Sequence, residues 1–235
     1  MILRNSADGG WLPPQRTHHR LPAPAGRWTY DLWGHHGRPL VLIPAILFER
    51  LMWWPAAADL RPHATVVAVD LPGHGGSAAR DSYDADELVD DLALLVAGLG
   101  STRAPVVVGH GPSAALAVHF ATRYATHAVV TVDAPRHLPA QRDEYLAGMR
   151  LESLPDRYRD LAVPVGDSHL LTGYARCLGR HAPPATRAGG ARLAVHSEPL
   201  PAPADGWPAR VYDIPGRFAH LTAATRFVDD LRAML

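Results

Sequence analysis

The sequence has 235 residues, of which 47% are apolar, and this composition fits one globular domain with a modest insertion. Its 23 basic and 23 acidic residues balance, so electrostatics indicate neither nucleic acid nor an anionic membrane as a partner. All basic residues are arginine, which excludes Schiff-base chemistry on a lysine, and the single Cys177 excludes an intrachain disulfide.

Residues 1–20 show no periodicity, and we expect them to form a flexible N-terminal arm. The paired histidines His18 and His19 have no third ligand at a useful spacing, so they predict no metal site. The N-terminus has no apolar signal core, and no apolar run reaches the roughly 18 residues of a membrane span. We therefore expect a soluble, cytoplasmic protein.

The first regular pattern is the alternation from Trp28 to Trp33, which predicts a strand, and residues 39–43 predict a second one after a glycine-rich turn. A helix is expected over 51–60. Ile46, Trp53 and Trp54 precede or begin this helix and are candidates to line a pocket, although core packing is the better expectation for at least one tryptophan.

A buried strand is expected over 65–69, and the segment Asp70–Ser77 follows it with the spacing D-x-x-G-H-G-x-S. This segment resembles the corresponding loop of the α/β-hydrolase family, in which its histidine is usually structural. The resemblance implies an α/β fold with a mostly parallel sheet flanked by helices. A helix is then predicted over 84–99, because acids crowd its first turns and its leucines share one face.

The valine run 106–108 predicts a buried strand, and the alanine-rich segment up to Tyr124 predicts a helix. The turn between them is similar to the family's nucleophile elbow, G-x-S-x-G after a strand. Gly111 stands at the nucleophile position and Pro112 follows it, where the family uses a backbone N–H in the oxyanion hole. Loss of a triad nucleophile costs roughly a million-fold in rate, so ordinary ester hydrolysis through this turn is not expected.

Another strand is expected over 128–132, ending at Asp133. Residues 134–190 then interrupt the alternation of strands and helices with many prolines and short helical patches. They have the position and length of a small family lid, so the predicted core domain comprises residues 21–133 and 191–235. Strands at 192–196 and 209–214 and a closing helix over 221–235 complete the core.

The remaining triad positions are also altered in this resemblance. Glu198, in the turn Ser-Glu-Pro-Leu, matches the position of the family's acid, with an ordinary exposed charge as the alternative. Aligning Phe218 and Leu221 with the family pattern G-H-F-P-H-L places Arg217 at the base position and His220 at the second histidine. Arginine cannot act as a general base near neutral pH, but it can bind a carboxylate, enolate or phenolate.

Two displaced arrangements stay open. Ser113 formally fits G-x-S-x-A and could serve as a nucleophile with His220 as a relocated base, whereas its ordinary role would be to cap the following helix. Alternatively, Gly109-x-Gly111-x-x-Ala114 matches a dinucleotide-binding fingerprint, with Asp133 placed to bind a ribose. Against this, two strands precede the unit and no second mononucleotide half follows it.

These patterns favour a cofactor-free, non-hydrolytic enzyme on an α/β-hydrolase fold, such as a bacterial cyclase, lyase or isomerase for a small natural product. Arg217 would bind or stabilise an anion, while His220 or His110, with Glu198 or Asp133, would move protons. Gly111, Ser113, Ile46, Trp53 and Trp54 would contact the substrate. A ligand-binding protein without catalysis is the second class of function.

Overall fold

The computed structural model describes residues 16–24, 26–135, 141–178, 190–199 and 206–235. These residues form one eight-stranded sheet in the order β1-β2-β4-β3-β5-β6-β7-β8. The pairs β1–β2 and β2–β4 are antiparallel, and all other neighbours are parallel. The strands are β1 (Arg16–Ala23), β2 (Gly26–Trp33), β3 (Arg38–Ile43), β4 (Ala64–Asp70), β5 (Val106–His110), β6 (Ala128–Val132), β7 (Ala191–His196) and β8 (Ala209–Val211).

Helices cover both faces of the sheet, so the central strands β3, β5 and β6 are buried along almost their whole length. This burial on two faces explains their continuous runs of valine, leucine and isoleucine. The helices are α1 (Trp54–Leu60), α2 (Ala85–Gly98), α3 (Ala114–Arg123), α4 (Arg142–Met149), α5 (Asp156–Arg159), α6 (Ser168–Leu178), α7 (Ala219–Thr222) and α8 (Ala224–Arg232). No helix of the described segments is long and apolar enough to cross a bilayer.

The strand order confirms the predicted fold class. The glycine-rich turn follows the fifth strand of the chain, after the antiparallel pairs β1–β2 and β2–β4, whereas in a dinucleotide-binding fold this turn follows the first strand. This topology does not support the dinucleotide-binding interpretation. Asp133, which would have bound a ribose, is instead hydrogen-bonded to Ser197 at the end of β7.

Two expectations need correction. The prediction of a flexible arm over residues 1–20 is wrong for residues 16–20, which belong to β1. This strand pairs with β2 in register from Arg16↔Trp33 to Ala23↔Gly26. Residues 1–15 lie outside the described part of the chain. The closing helix over 221–235 is also not continuous. Its first turn is the separate helix α7, because the backbone at Ala223 leaves helical geometry (φ −119°, ψ 46°).

The predicted lid region contains the short helices α4, α5 and α6 between β6 and β7. It packs on the core through specific hydrogen bonds. The Val165 N–H donates to the Leu47 carbonyl oxygen at 2.7 Å, and the Tyr174 hydroxyl donates to the Pro72 carbonyl oxygen at 2.8 Å. α4 lies near the carboxyl end of β5, because the hydroxyl oxygen of its Tyr145 is 3.6 Å from where a Cβ of Gly111 would be, and this end is where this class of sheet places its ligands.

Candidate active site

The turn after β5 is the one that the sequence analysis compares with a nucleophile elbow. Gly111 has a φ of +56°, which glycine adopts freely and other residues adopt at a cost. Gly109 is held by close packing, because a Cβ there would lie 2.7 Å from the Cα of Ala114 at the start of α3. Pro112 follows Gly111 and has no N–H to donate. The apex of the turn therefore offers neither an attacking oxygen nor the adjacent backbone donor.

Two histidines that sequence reasoning selected separately lie together behind this turn. His110 at the end of β5 and His220 on α7 are both fully buried, with ring centroids 4.8 Å apart. Trp53 lies against His220 at 4.3 Å between centroids, and Phe218 and Phe227 complete an aromatic cluster around the imidazoles. The break between α7 and α8 allows His220 to point into this interior.

The hydrogen bonds of His110 define its tautomer. Its Nε2 lies 2.6 Å from the carbonyl oxygen of Arg217, and since a carbonyl only accepts, Nε2 carries the proton. The Nδ1 atom is buried without a partner among the described residues, so its lone pair is free. Burial lowers the pKa of His110 to about 4, and the nearby Arg217 charge acts in the same direction. His110 is therefore neutral at pH 7.

His220 is more isolated. Neither of its ring nitrogens has a hydrogen-bond partner within the described segments. Burial, followed by the proximity of His110, lowers the pKa of His220 well below its usual value. Since buried polar atoms are nearly always paired, an unpaired buried imidazole is unusual and makes His220 a candidate functional group.

Ser113 lies in the same interior, but it does not do what the sequence suggested. Its hydroxyl does not cap α3, so the expected capping role is wrong. It is also buried with no hydrogen-bond partner in the described part of the chain, so no Ser113–His220 hydrogen bond is formed. The geometry gives the predicted dyad no support, although catalytic hydrogen bonds are often long without substrate.

Asp133 ends β6 with a left-handed backbone (φ 49°) and a buried carboxylate. It accepts hydrogen bonds of 2.7 Å from both the N–H and the hydroxyl of Ser197. Burial raises the pKa of Asp133 to about 6, against the lowering effect of these bonds and of Arg217. Asp133 thus links the end of β6 to Ser197 at the end of β7.

Arg217 lies beside Asp133 at a small polar cavity of about 40 Å³. Its Nε donates to the Gly148 carbonyl oxygen at 3.1 Å, and its backbone N–H donates to Met149, so it is attached to the end of α4. Its positive charge faces His196, whose pKa is lowered mainly by burial and further by this charge. The cavity is lined by Asp133, Ala134, His196, Glu198, Pro199, Gly216 and Arg217.

Other predicted residues are placed differently. Glu198 borders the cavity, but its carboxylate forms an ion pair with Arg150 and its side chain is 39% exposed. Trp54 is 44% exposed and packs against Trp33, so the prediction that it lines the pocket is wrong. Ile46 is fully buried in the core. Among the residues that the structure describes, no three His, Cys, Asp or Glu side chains are grouped to hold a metal ion.

Tyr145 is the residue that sequence reasoning missed. It lies on α4, is 4% exposed, and its hydroxyl oxygen lies 3.6 Å from where a Cβ of Gly111 would be. The sequence showed only a helical patch at this position, and nothing in that pattern indicates which helical residue reaches the turn. Among the described residues other than the chain neighbours of Gly111, the Tyr145 hydroxyl is the polar side-chain atom nearest to that Cβ position.

Comparison with known proteins agrees with this architecture. A family profile of the alpha/beta hydrolase fold matches residues 38–184. Over 96 residues the chain is 34% identical to the dihydrolipoyllysine-residue acetyltransferase component of an acetoin cleaving system from Pseudomonas putida; this alignment takes in 40% of the chain and a quarter of the relative's length.

Among solved structures, E-2-(acetamidomethylene)succinate hydrolase is similar with a TM-score of 0.77 at 19% identity, covering 93% of this chain and 98% of that one. The Cif epoxide hydrolase from Acinetobacter nosocomialis is also similar, with a TM-score of 0.75 at 16% identity. This match covers 95% of this chain and 90% of the epoxide hydrolase chain. At these identities the likeness concerns the fold alone.

Proposed function

Because the chain belongs to the α/β-hydrolase fold family, we propose that it is a cofactor-free member with a degenerate catalytic triad that does not hydrolyse its substrate through a covalent intermediate. The observation that carries this proposal is the turn apex. Gly111 and Pro112 remove both the attacking oxygen and the neighbouring backbone donor, whereas the buried polar groups around them are kept. Acyl transfer needs the lost groups, but proton transfer does not.

The chemistry that fits these groups is acid/base and electrostatic catalysis on a small natural-product substrate, as in a cyclase, lyase or isomerase. The free Nδ1 of neutral His110 and the unpaired imidazole of His220 are the candidates to accept a proton, and because burial lowers the pKa of both imidazoles, they would release that proton again readily. Arg217, beside the polar cavity, would stabilise the anion that forms when the proton leaves. Asp133 and Glu198 border the same cavity and would tune or relay that charge.

Isotope incorporation tests this proposal directly. Small 1,3-dicarbonyl and β-hydroxycarbonyl compounds are incubated with the protein in D₂O or in H₂¹⁸O and analysed by mass spectrometry. Deuterium gained at carbon faster than in a protein-free control, without ¹⁸O gained in the carboxylate of a cleavage product, supports proton-transfer chemistry. Cleavage that introduces ¹⁸O, together with fluorophosphonate labelling of Ser113, would overturn it in favour of a serine hydrolase.

Ligand binding without turnover is the second candidate, because His110, Ser113 and His220 are fully buried and each has a polar atom without a partner among the described residues, which a ligand group could satisfy. A receptor of this kind would bind compounds from the same panel and return them without deuterium. Single replacements of Arg217 or His220 would then change affinity only.

A further inference from the structure

Tyr145 borders the space over the turn that the missing side chain of Gly111 leaves open. An ideal Cβ on Gly111 would meet the Cβ of Ala45 at 3.2 Å and the Tyr145 hydroxyl oxygen at 3.6 Å. The hydroxyl therefore faces the apex across the gap that a nucleophile would have filled. It reaches this point from α4, outside the sheet, whereas the residues of the elbow follow β5.

The hydroxyl has no partner that would explain its burial. It is buried and unpaired within the described residues, and a buried donor without an acceptor destabilises a fold. Burial raises the pKa of Tyr145 far above its usual value, although the Arg217 charge acts against this. The phenol is therefore protonated at every physiological pH and is a hydrogen-bond donor without an acceptor.

The position of α4 is fixed by the loop that carries the other polar groups. Arg217 donates from its backbone to Met149 and from its side chain to Gly148, one turn after Tyr145. The same loop accepts the hydrogen bond of His110 through the Arg217 carbonyl. Hydrogen bonds of Arg217 therefore connect His110 with α4, the helix that contains Tyr145.

We propose that the Tyr145 hydroxyl donates a hydrogen bond to a substrate oxygen bound over Gly111, in place of the donor that Pro112 cannot supply. The substrate class is a carbonyl compound that passes through an enolate or phenolate, whose oxygen gains negative charge at this point. The inference rests on the proposed function for the identity of the reaction, but the hydrogen bond itself is testable without turnover. A phenol suits this task because its O–H is strengthened as a donor toward an anionic oxygen.

The first measurement is thermal unfolding of Tyr145→Phe. Because the hydroxyl has no protein acceptor, its removal should leave the melting temperature equal to or above that of the wild type. Tyr158→Phe, on α5 of the same lid region, is the matched control for loss of a half-buried tyrosine hydroxyl. A fall of several degrees for Tyr145→Phe alone would show a structural partner and overturn the proposal.

The second measurement is binding of 4-nitrophenolate, a planar oxyanion, followed by its absorbance. Loss of one hydrogen bond to a charged oxygen should weaken the Kd for Tyr145→Phe about tenfold or more, with Tyr158→Phe unchanged. Equal affinities of Tyr145→Phe and wild type, or no saturable binding to the wild type, would overturn the proposal. Tyr145-dependent binding without deuterium exchange in any compound would refute the proposed enzyme and leave this inference standing.

Discussion

Replacing Asp133 by asparagine should change the pH dependence of folding stability. Burial raises the pKa of this carboxyl from 3.8 to about 6 in the folded protein. Ionisation is therefore harder in the folded state than in the unfolded state. Between these two pKa values the folded protein holds more protons, so this group's contribution to stability is lost as pH rises.

The magnitude follows from the shift. A difference of roughly 2 pKa units corresponds to about 3 kcal/mol when fully developed, of which about 2 kcal/mol falls between pH 4.5 and 7.5. Asparagine keeps an oxygen for the N–H of Ser197 and carries no charge. The free energy of unfolding of Asp133→Asn minus that of the wild type should therefore rise by about 2 kcal/mol over this range.

Urea denaturation of both proteins at several pH values measures this difference. The comparison must be between variant and wild type, because His110, with its pKa lowered to about 4, makes stability rise with pH over an overlapping range. Asp213→Asn is the control, since Asp213 has the same left-handed backbone (φ 55°) but an exposed side chain. A difference for Asp133→Asn that stays constant with pH would refute the reasoning.

Three further predictions, one of them with a control substitution, concern packing and are each tested by urea denaturation. Gly109→Ala should lower the free energy of unfolding by several kcal/mol, because its Cβ would clash with the backbone at the start of α3. The control Gly98→Ala has nothing within 4 Å of its Cβ and should raise the free energy of unfolding by about 0.5–1 kcal/mol. Equal effects of the two substitutions would contradict the role given to Gly109. Ser113→Ala should be neutral or stabilising because its buried hydroxyl is unpaired, and a loss above about 1 kcal/mol would reveal a hidden partner. Tyr174→Phe removes a buried bond to Pro72 and should lose about 1 kcal/mol, so unchanged stability would argue against that contact.

The sequence predicted the central sheet well because its signal there is local. Runs such as Val106–Val108 are apolar on both faces only in strands covered by helices on each side, so composition alone identified them. The elbow was also recognisable, since glycine at 109 and 111 answers a backbone requirement of that turn. Even the two histidines could be selected from their places in family patterns.

The parts that failed depend on contacts distant in sequence. β1 is polar, with Arg16 and His18 among its residues, and its strand geometry comes from pairing with β2. Tyr145 and Gly111 meet only because α4 packs over the carboxyl end of β5. The unpaired state of Ser113, which local rules assigned to a helix cap, likewise depends on packing from several elements.

The two edge strands of the sheet affect how readily the protein associates with itself. A free strand border is a template onto which a neighbouring chain can add. One edge strand of the described sheet is β1, which has arginine and histidine side chains and Pro22, a residue without an N–H. The other edge strand is β8, which is only three residues long. Deleting residues 1–24 would remove β1 and make β2, which contains Trp28 and Trp33, the edge strand. The new edge would be more apolar, and we expect the shortened protein to associate with copies of itself more readily.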